Sequence, residues 1–433
     1  MTNQEFSRYE SYTACEIPWL DFLPTHWECK DLKYVSTINP CGYRATNHEI
    51  VTFLPMEAVT TKGETDNSRV GERGLYPASL TEFRRCDVIL AKITPCFENG
   101  KAAYLHQLTT EKGIGSTEFH VIRADTKIME PRFTYYLVSN CEFRRYAECF
   151  MEGSAGQKRV TTPFLTNMKF PIPCLPTQQR IANYLDQKTA EIDEAIAKKQ
   201  RLIELLKEQK AILINQAVTK GLNPDAPMRE SGVEWIGEVP GHWEVRPNRY
   251  VFREINERSE KGEEIHLSMS QKLGLVPAKD LNVLTLQSES YEGAKLCLEG
   301  DLVLNRLKAH LAVFSTAPCD GVVSPDYSVF RLQEKRFKSE YFENLFKTPM
   351  YLSEFNRRVR GIVVGFYRLY SSDFNAISCI VPPDHEQTQI MQRVCEISSH
   401  VSSSQAHIVK EIEAILEFKA ILISSAVTGK IKI

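Results

Sequence analysis

The residues in this chain whose types suit chemistry are two sets of basic, amide and aromatic side chains, and the chemistry they suit is recognition. Lys92, Lys101, Gln157, Lys158 and Arg159 fall in loop-like segments of the first half. Arg306, Lys308, His310, Arg360, Tyr367 and Arg368 are their second-half counterparts. Arg and Lys pair with guanine edges, Gln pairs with adenine, and all of them grip phosphate. Catalytic spacings are missing. No Asn/Asp-Pro-Pro-aromatic loop is present to hold a flipped base, since the one Pro-Pro pair reads Val381-Pro382-Pro383-Asp384. Gly113-Ile114-Gly115 is too short for a nucleotide fingerprint, and no G-x-x-x-x-G-K-[ST] loop exists. The 10 histidines form no H-x-x-x-H pair with a partner, and the 12 cysteines form no C-x-x-C pair. The cysteines read as free thiols, buried where they sit in apolar runs, as at Cys174, Cys379 and Cys395. No metal ligands are assigned.

The elements that must carry the two sets are written twice. Trp19, Pro24, His26, Trp27, Glu28, Tyr34 and Val35 recur as Trp235, Pro240, His242, Trp243, Glu244, Tyr250 and Val251, a shift of 216 positions (235 − 19). Near the ends of the halves, 210-KAILINQAVT-219 returns as 419-KAILISSAVT-428. One repeat spans half the chain, which predicts two similar domains rather than a solenoid. Because both halves keep His-Trp-Glu, that motif reads as framework. Asp87 and Asp301 each open an apolar strand and read as turn residues rather than catalysts. Alternation and β-branching predict strands in 87-DVILAKI-93, 117-TEFHVIR-123, 301-DLVLNRL-307 and 327-YSVFRL-332. Helical stretches are expected over 131–150 and 339–359. Gly156 and Arg159 align with Gly365 and Arg368. The loops after the strands differ, 92-KITPCFENGK-101 against 306-RLKAHLAVFS-315.

Two long amphipathic helices are expected. The first is read over 177–220, with Thr177 as its N-cap and Gly221 then Pro224 stopping it; the second runs from about 386 to 427. Ile181, Leu185, Ile192, Ile203, Leu206 and Leu213 match Ile390, Val394, Val401, Ile412, Ile415 and Leu422 at a shift of 209 (390 − 181), a coiled-coil-like seam. Matched seams in one chain predict that the helices pair, antiparallel. An aspartate at Ile203 or Ile412 is therefore expected to bury a charge, at a cost of several kcal/mol. The fold class is α+β: two pseudo-two-fold-related domains joined by two long antiparallel coiled-coil-like helices. The boundaries read as 1–175 and 233–383 for the domains, 176–220 and 384–433 for the helices with the C-terminal tail, and 221–232 for a linker.

Composition narrows the function. Lys and Arg number 53 against 55 Asp and Glu, which argues against a non-specific basic coat without excluding a local basic face. No signal-peptide pattern or 18-residue apolar run is visible, so a cytoplasmic protein with no membrane span is expected.

The chain resembles the specificity subunit of type I restriction–modification systems. The resemblance rests on the two W-x-x-x-x-P-x-H-W-E openings, 86-CDVILAKITPCFENGK-101, 116-STEFHVIR-123, 153-GSAGQKRV-160, 172-IPCLPTQQRI-181, 381-VPPDHEQTQI-390, 217-AVTKG-221 and 426-AVTGKI-431. It covers nearly the whole chain. The second helix entry departs from the usual P-L-x-E-Q form. The resemblance implies two target-recognition domains reading one bipartite, asymmetric site on double-stranded DNA. It implies helices that space the domains and dock two methyltransferase subunits. It also implies restriction motor-nuclease subunits, with S-adenosylmethionine, ATP and magnesium held by these partners and no cofactor in this chain. A coiled-coil scaffold and the specificity subunit of a methylation-only or other phage-defence system are the alternatives.

Overall fold

The computed structural model describes residues 7–40, 45–154, 156–271, 273–281, 291–361 and 367–433; the expected match at Gly365 lies outside them. Eight α-helices are present among the described residues: α1 Pro131–Val138, α2 Cys141–Glu148, α3 Thr162–Asn167, α4 Leu175–Lys220, α5 Ser339–Phe346, α6 Pro349–Arg358, α7 Ser371–Ala376 and α8 Asp384–Val427. The chain divides into two units, one of residues 1–200 with 409–433 and one of residues 201–408, and both long helices cross the division.

In the first unit an antiparallel sheet runs in the order Ser36–Ile38, Phe119–Ala124, Val88–Ala91, Ala102–Tyr104. All four residues of Val88–Ala91 are buried, as its unbroken apolar run requires. A second sheet, ordered Val70–Glu72, Ile50–Leu54, Lys112–Gly115, Thr81–Arg84, contains one parallel pairing. The second unit repeats the first sheet as Phe252–Ile255, Tyr327–Leu332, Leu302–Asn305, Phe314–Thr316. Its other strands among the described residues form four two-stranded ladders: Met228–Glu230 with Glu238–Pro240, Glu244–Pro247 with Ser378–Val381, Leu267–Ser270 with Gly274–Pro277, and Lys295–Cys297 with Gly321–Val323.

The same polar clamps brace both units. Asp87 and Asp301 are not merely turn residues. Asp87 is buried, its carboxylate accepts from Arg123 Nε at 2.8 Å and Nη2 at 2.7 Å, and it closes its own turn through Arg84 N at 2.9 Å. Asp301 does the same with Arg331 at 2.8 and 2.8 Å and with Leu298 N at 2.8 Å. Gln178 and Gln387, both fully buried, tie the start of each long helix to its unit. Gln178 donates to Pro173 O and Ile128 O and accepts from Glu130 N; Gln387 donates to Pro382 O and Arg336 O and accepts from Lys338 N.

The long helices pair antiparallel within each unit. In the first, Lys419 reaches Asp193 at 2.7 Å and Lys199 reaches Glu411 at 2.7 Å, so one helix descends as the other ascends. In the second, Gln405 Nε2 donates to Ile203 O. Ile181, Leu185, Ile192, Leu422, Ile390, Val394 and Val401 are buried. Ile203, Leu206, Leu213, Ile412 and Ile415 are only half-buried, so the charge-burial cost expected at Ile203 and Ile412 is too high. The helix ends are closed by Gly221 and Gly429, both at positive φ (+81° and +72°). A Cβ there would lie 3.1 Å from the buried Trp243 ring and 2.6 Å from Pro24, beside Trp27, which is why glycine stops each helix.

Three local expectations are corrected. The stretch 131–150 is two helices, because Asn140 leaves the helix and its side chain accepts from Glu142 N and Phe143 N as a new N-cap. The stretch 339–359 breaks likewise at Thr348, where Pro349 lacks the N–H to continue α5. Thr177 is not an N-cap, since α4 already begins at Leu175. Thr177 sits in the first turn, and its hydrogen bonds to Cys174 hold that thiol below its ordinary pKa. Cys379 is buried as expected, whereas Cys174 and Cys395 are exposed. No helix among the described residues is long and apolar enough to cross a membrane.

Candidate nucleic-acid interface

The basic sets are gathered by the same backbone device in each unit. Past the strand Val88–Ala91, Lys92 O accepts from Val160 N at 2.8 Å, and Thr94 N donates to Lys158 O at 2.9 Å. Past Leu302–Asn305, Arg306 O accepts from Leu369 N at 2.9 Å. Arg159 makes a two-way backbone pairing with Glu152, and Arg368 makes the same pairing with Arg360. In both places the backbone after the strand end is thus stitched beside a bridged pair that contains an arginine, and the sequences of the stitched loops differ.

Within the first unit the candidates divide. Gln157 and Lys158 are exposed, and their side chains make no hydrogen bond or ion pair among the described residues; the same holds for the ammonium of half-buried Lys92. Arg159 is committed, since its guanidinium forms two 2.9 Å bonds with Glu118. That pairing holds the Glu118 carboxyl below its usual range. Lys101 points inward, with Nζ on Met56 O at 2.9 Å, so it braces the turn that follows Ile50–Leu54. Buried His120 lies beneath this stitch: its Nε2 lies 2.8 Å from Val160 O, and its Nδ1 lies 3.3 Å from Asn39 Nδ2. The network fits the neutral tautomer that donates from Nε2. Burial is the main cause that lowers its pKa from 6.5, with Lys92 adding to it. Protonation is therefore easier in the unfolded chain. The stability His120 supports is full above about pH 6.5 and is lost as pH falls through its lower folded value. Thermal unfolding from pH 8 to 5 is expected to show the first unit weakening below about 6.5. In His120→Gln that fall is expected to flatten, and an unchanged profile would remove His120 from the explanation.

The second unit is more crowded. Arg306 Nε donates to Asp326 O at 2.7 Å, and Arg368 reaches Asp326 Oδ1 at 3.5 Å. Arg360 pairs with Asp373 at 2.6 Å. Lys308 is exposed, and Tyr367 is partly exposed with its ring edge-on to His310 at 6.2 Å. His310 Nδ1 is buried without a partner. The carboxylates of Glu118 and Asp326, which aim these arginines, were not singled out from the sequence.

Trp27 and Trp243 are buried while His26 and His242 are exposed, so the His-Trp-Glu motif is framework through its tryptophan. His242 Nε2 and Trp243 Nε1 both meet the Glu386 carboxylate, at 2.6 and 2.9 Å. Among the described residues no group of three or more His, Cys, Asp or Glu is placed to hold a metal ion.

Residues 83–205 match the type I restriction modification DNA specificity domain. The type I restriction enzyme EcoAI specificity subunit of Escherichia coli is 35% identical over 160 residues, 37% of this chain and 27% of that relative. The match therefore spans about a quarter of that relative's length. The MjaVIII specificity subunit of Methanocaldococcus jannaschii is 22% identical over 75% of each chain. Among solved structures, a chain from work on the complex assembly and conformational transition of the type I R-M system aligns with a TM-score of 0.69 at 16% identity, covering 94% of this chain and 99% of that one. That last likeness is one of fold.

Proposed function

Because the chain carries a type I restriction modification DNA specificity domain and resembles type I specificity subunits, we propose that it is the sequence-reading subunit of a type I restriction–modification complex. Residues 1–175 and 233–383 act as target-recognition domains, each reading one half of a bipartite, asymmetric site on double-stranded DNA. The helices 176–220 and 384–433, linked through 221–232, join them and dock two methyltransferase subunits. Exposed Leu202, Leu205 and Ile212 on α4, and Leu416, Phe418 and Ile421 on α8, supply apolar surface suited to docking. Methyl transfer and cleavage belong to the partners, which carry S-adenosylmethionine, ATP and magnesium, and the complex works in the cytoplasm where its DNA is. The carrying observation is one braced frame built twice, with different basic loops stitched to the same strand end.

The test is a domain exchange. Residues 1–172 are replaced by the equivalent part of a relative, and both chains select from a random duplex library. One half of the selected site is expected to change and the other to persist, with each base in the new half discriminated by about 1–3 kcal/mol. Two halves changing together would defeat the one-domain, one-half-site reading. Selection of no sequence at all would favour a scaffold.

A further inference from the structure

Each half of the chain carries two carboxylate–arginine pairs in matched places. The inner pairs, Asp87 with Arg123 and Asp301 with Arg331, have carboxylates only 1% and 3% exposed and brace the fold. The outer pairs are Glu118 with Arg159 and Asp326 with Arg368, and their arginine side chains are 40% and 42% exposed. The same turn sets both outer carboxylates just ahead of the matched strands Phe119–Ala124 and Tyr327–Leu332. Glu118 N donates to Ser116 Oγ at 3.2 Å, and Asp326 N donates to Ser324 Oγ at 3.3 Å. Arg159 Nε and Nη2 each donate to Glu118 at 2.9 Å, and its Nη1 donates to Gln157 O at 3.2 Å. A guanidinium has N–H donors beyond the three used here, so among the described residues part of it stays free to bind. Arg368 Nη2 donates to Asp326 Oδ1 at 3.5 Å, while Arg306 Nε uses the Asp326 carbonyl at 2.7 Å.

An exposed ion pair adds little stability, so bracing does not account for the outer pairs being kept in both halves. Their neighbours are not kept: Lys158 stands where the second half has Tyr367. A side chain that reads a base should differ between half-sites of different sequence, as these neighbours do. One that meets the phosphodiester backbone, which every sequence shares, should not.

We propose that Glu118 and Asp326 are positioning residues: each fixes its arginine, Arg159 or Arg368, so that a free N–H donates to a phosphodiester oxygen of its half-site. This deepens the function proposed above and rests on it.

The full-length chain first selects its site from a random duplex library, and variants are compared with wild type on that site over a range of salt. Arg159→Met is expected to lose roughly 10-fold in affinity on every sequence, with the salt slope reduced by about 1 and the selected bases unchanged. Glu118→Ala is expected to lose roughly 3- to 10-fold, the cost of ordering a loose arginine on binding. Glu118→Asp, which borrows the second half's residue, is expected to recover most of that loss. With Arg159→Met already in place, Glu118→Ala should cost nothing more, because the carboxylate acts only through the arginine. Tighter binding by Glu118→Ala, or the same loss with and without Arg159, would overturn the positioning role. Selection that relaxes at one base pair in Arg159→Met would overturn the backbone contact. Should a first-unit variant misfold, Arg368→Met and Asp326→Ala carry the same expectations and the same refutations, and Asp326→Ala keeps the carbonyl that Arg306 uses. A wild-type chain that selects no sequence overturns the function reading itself, and these roles with it.

Discussion

Replacing Asp87 with alanine is expected to destabilise the first unit by about 3 kcal/mol, the lower end for removing one partner of a buried ion pair. The carboxylate is buried and takes two bonds from Arg123 and one from Arg84 N. Its loss removes both bonds to the Arg123 guanidinium, whose side chain is only 17% exposed, and the bond from Arg84 N. The remaining exposure lets water recover part of the loss, which sets the lower end of the range. Urea unfolding followed by circular dichroism reads this as an earlier midpoint for the unit that carries the change. Adding Arg123→Met should recover part of the loss, because the positive charge that Asp87 balanced is then gone. Asp301→Ala should reproduce the effect in the second unit, where Asp301 holds the Arg331 guanidinium above its ordinary pKa. A loss below about 1 kcal/mol in both would mean that the clamps are incidental to stability.

Placing aspartate at Leu185 is expected to cost about 4 kcal/mol or more, since a carboxylate enters a site with no polar partner. Leu185 is fully buried and packs in the cluster that contains Ile181, Ile192, Leu422 and Ala426. The same change at half-buried Ile203 should cost about 1 kcal/mol, because its charge reaches water. Expression of both variants, followed by size-exclusion chromatography and thermal unfolding, makes the comparison. Equal losses at the two positions would contradict the burial gradient along the helices.

Much of this frame is legible in the residues, and the reason is periodicity. The strand Tyr327–Leu332 coincides with the run read from alternation, and both long helices follow their 3.6-residue stripe to within a few residues. Periodicity misleads where a cap or a proline interrupts it: apolar spacing runs on through Asn140 and Thr348, and the Asn140 cap and the missing N–H of Pro349 end the helices there. Gln178 and Gln387 look like polar helix-surface residues, yet tertiary carbonyls draw both inside. The recognition loops were locatable by their charge and their divergence between halves. The division of Arg159, Lys101 and Lys158 into paired, inward and free cations was not, because it depends on Glu118 and Met56, which are far away in sequence.

The unequal make-up of the two units bears on the order in which they can be completed during synthesis. Residues 201–408 form one unbroken stretch, whereas the other unit needs Val409–Ile433 to join Met1–Gln200. The ribosome supplies those last residues only after the contiguous unit has been made. Until then Ile181, Leu185 and Ile196 lack Leu422, Ala426 and Val427, with which they share a core. Closing that core also means bringing together segments separated by the whole second unit, a slow, non-local event compared with pairing neighbours. The half translated first is thus the half finished last, and its exposed apolar helix face is open to chaperones or to aggregation in the interval.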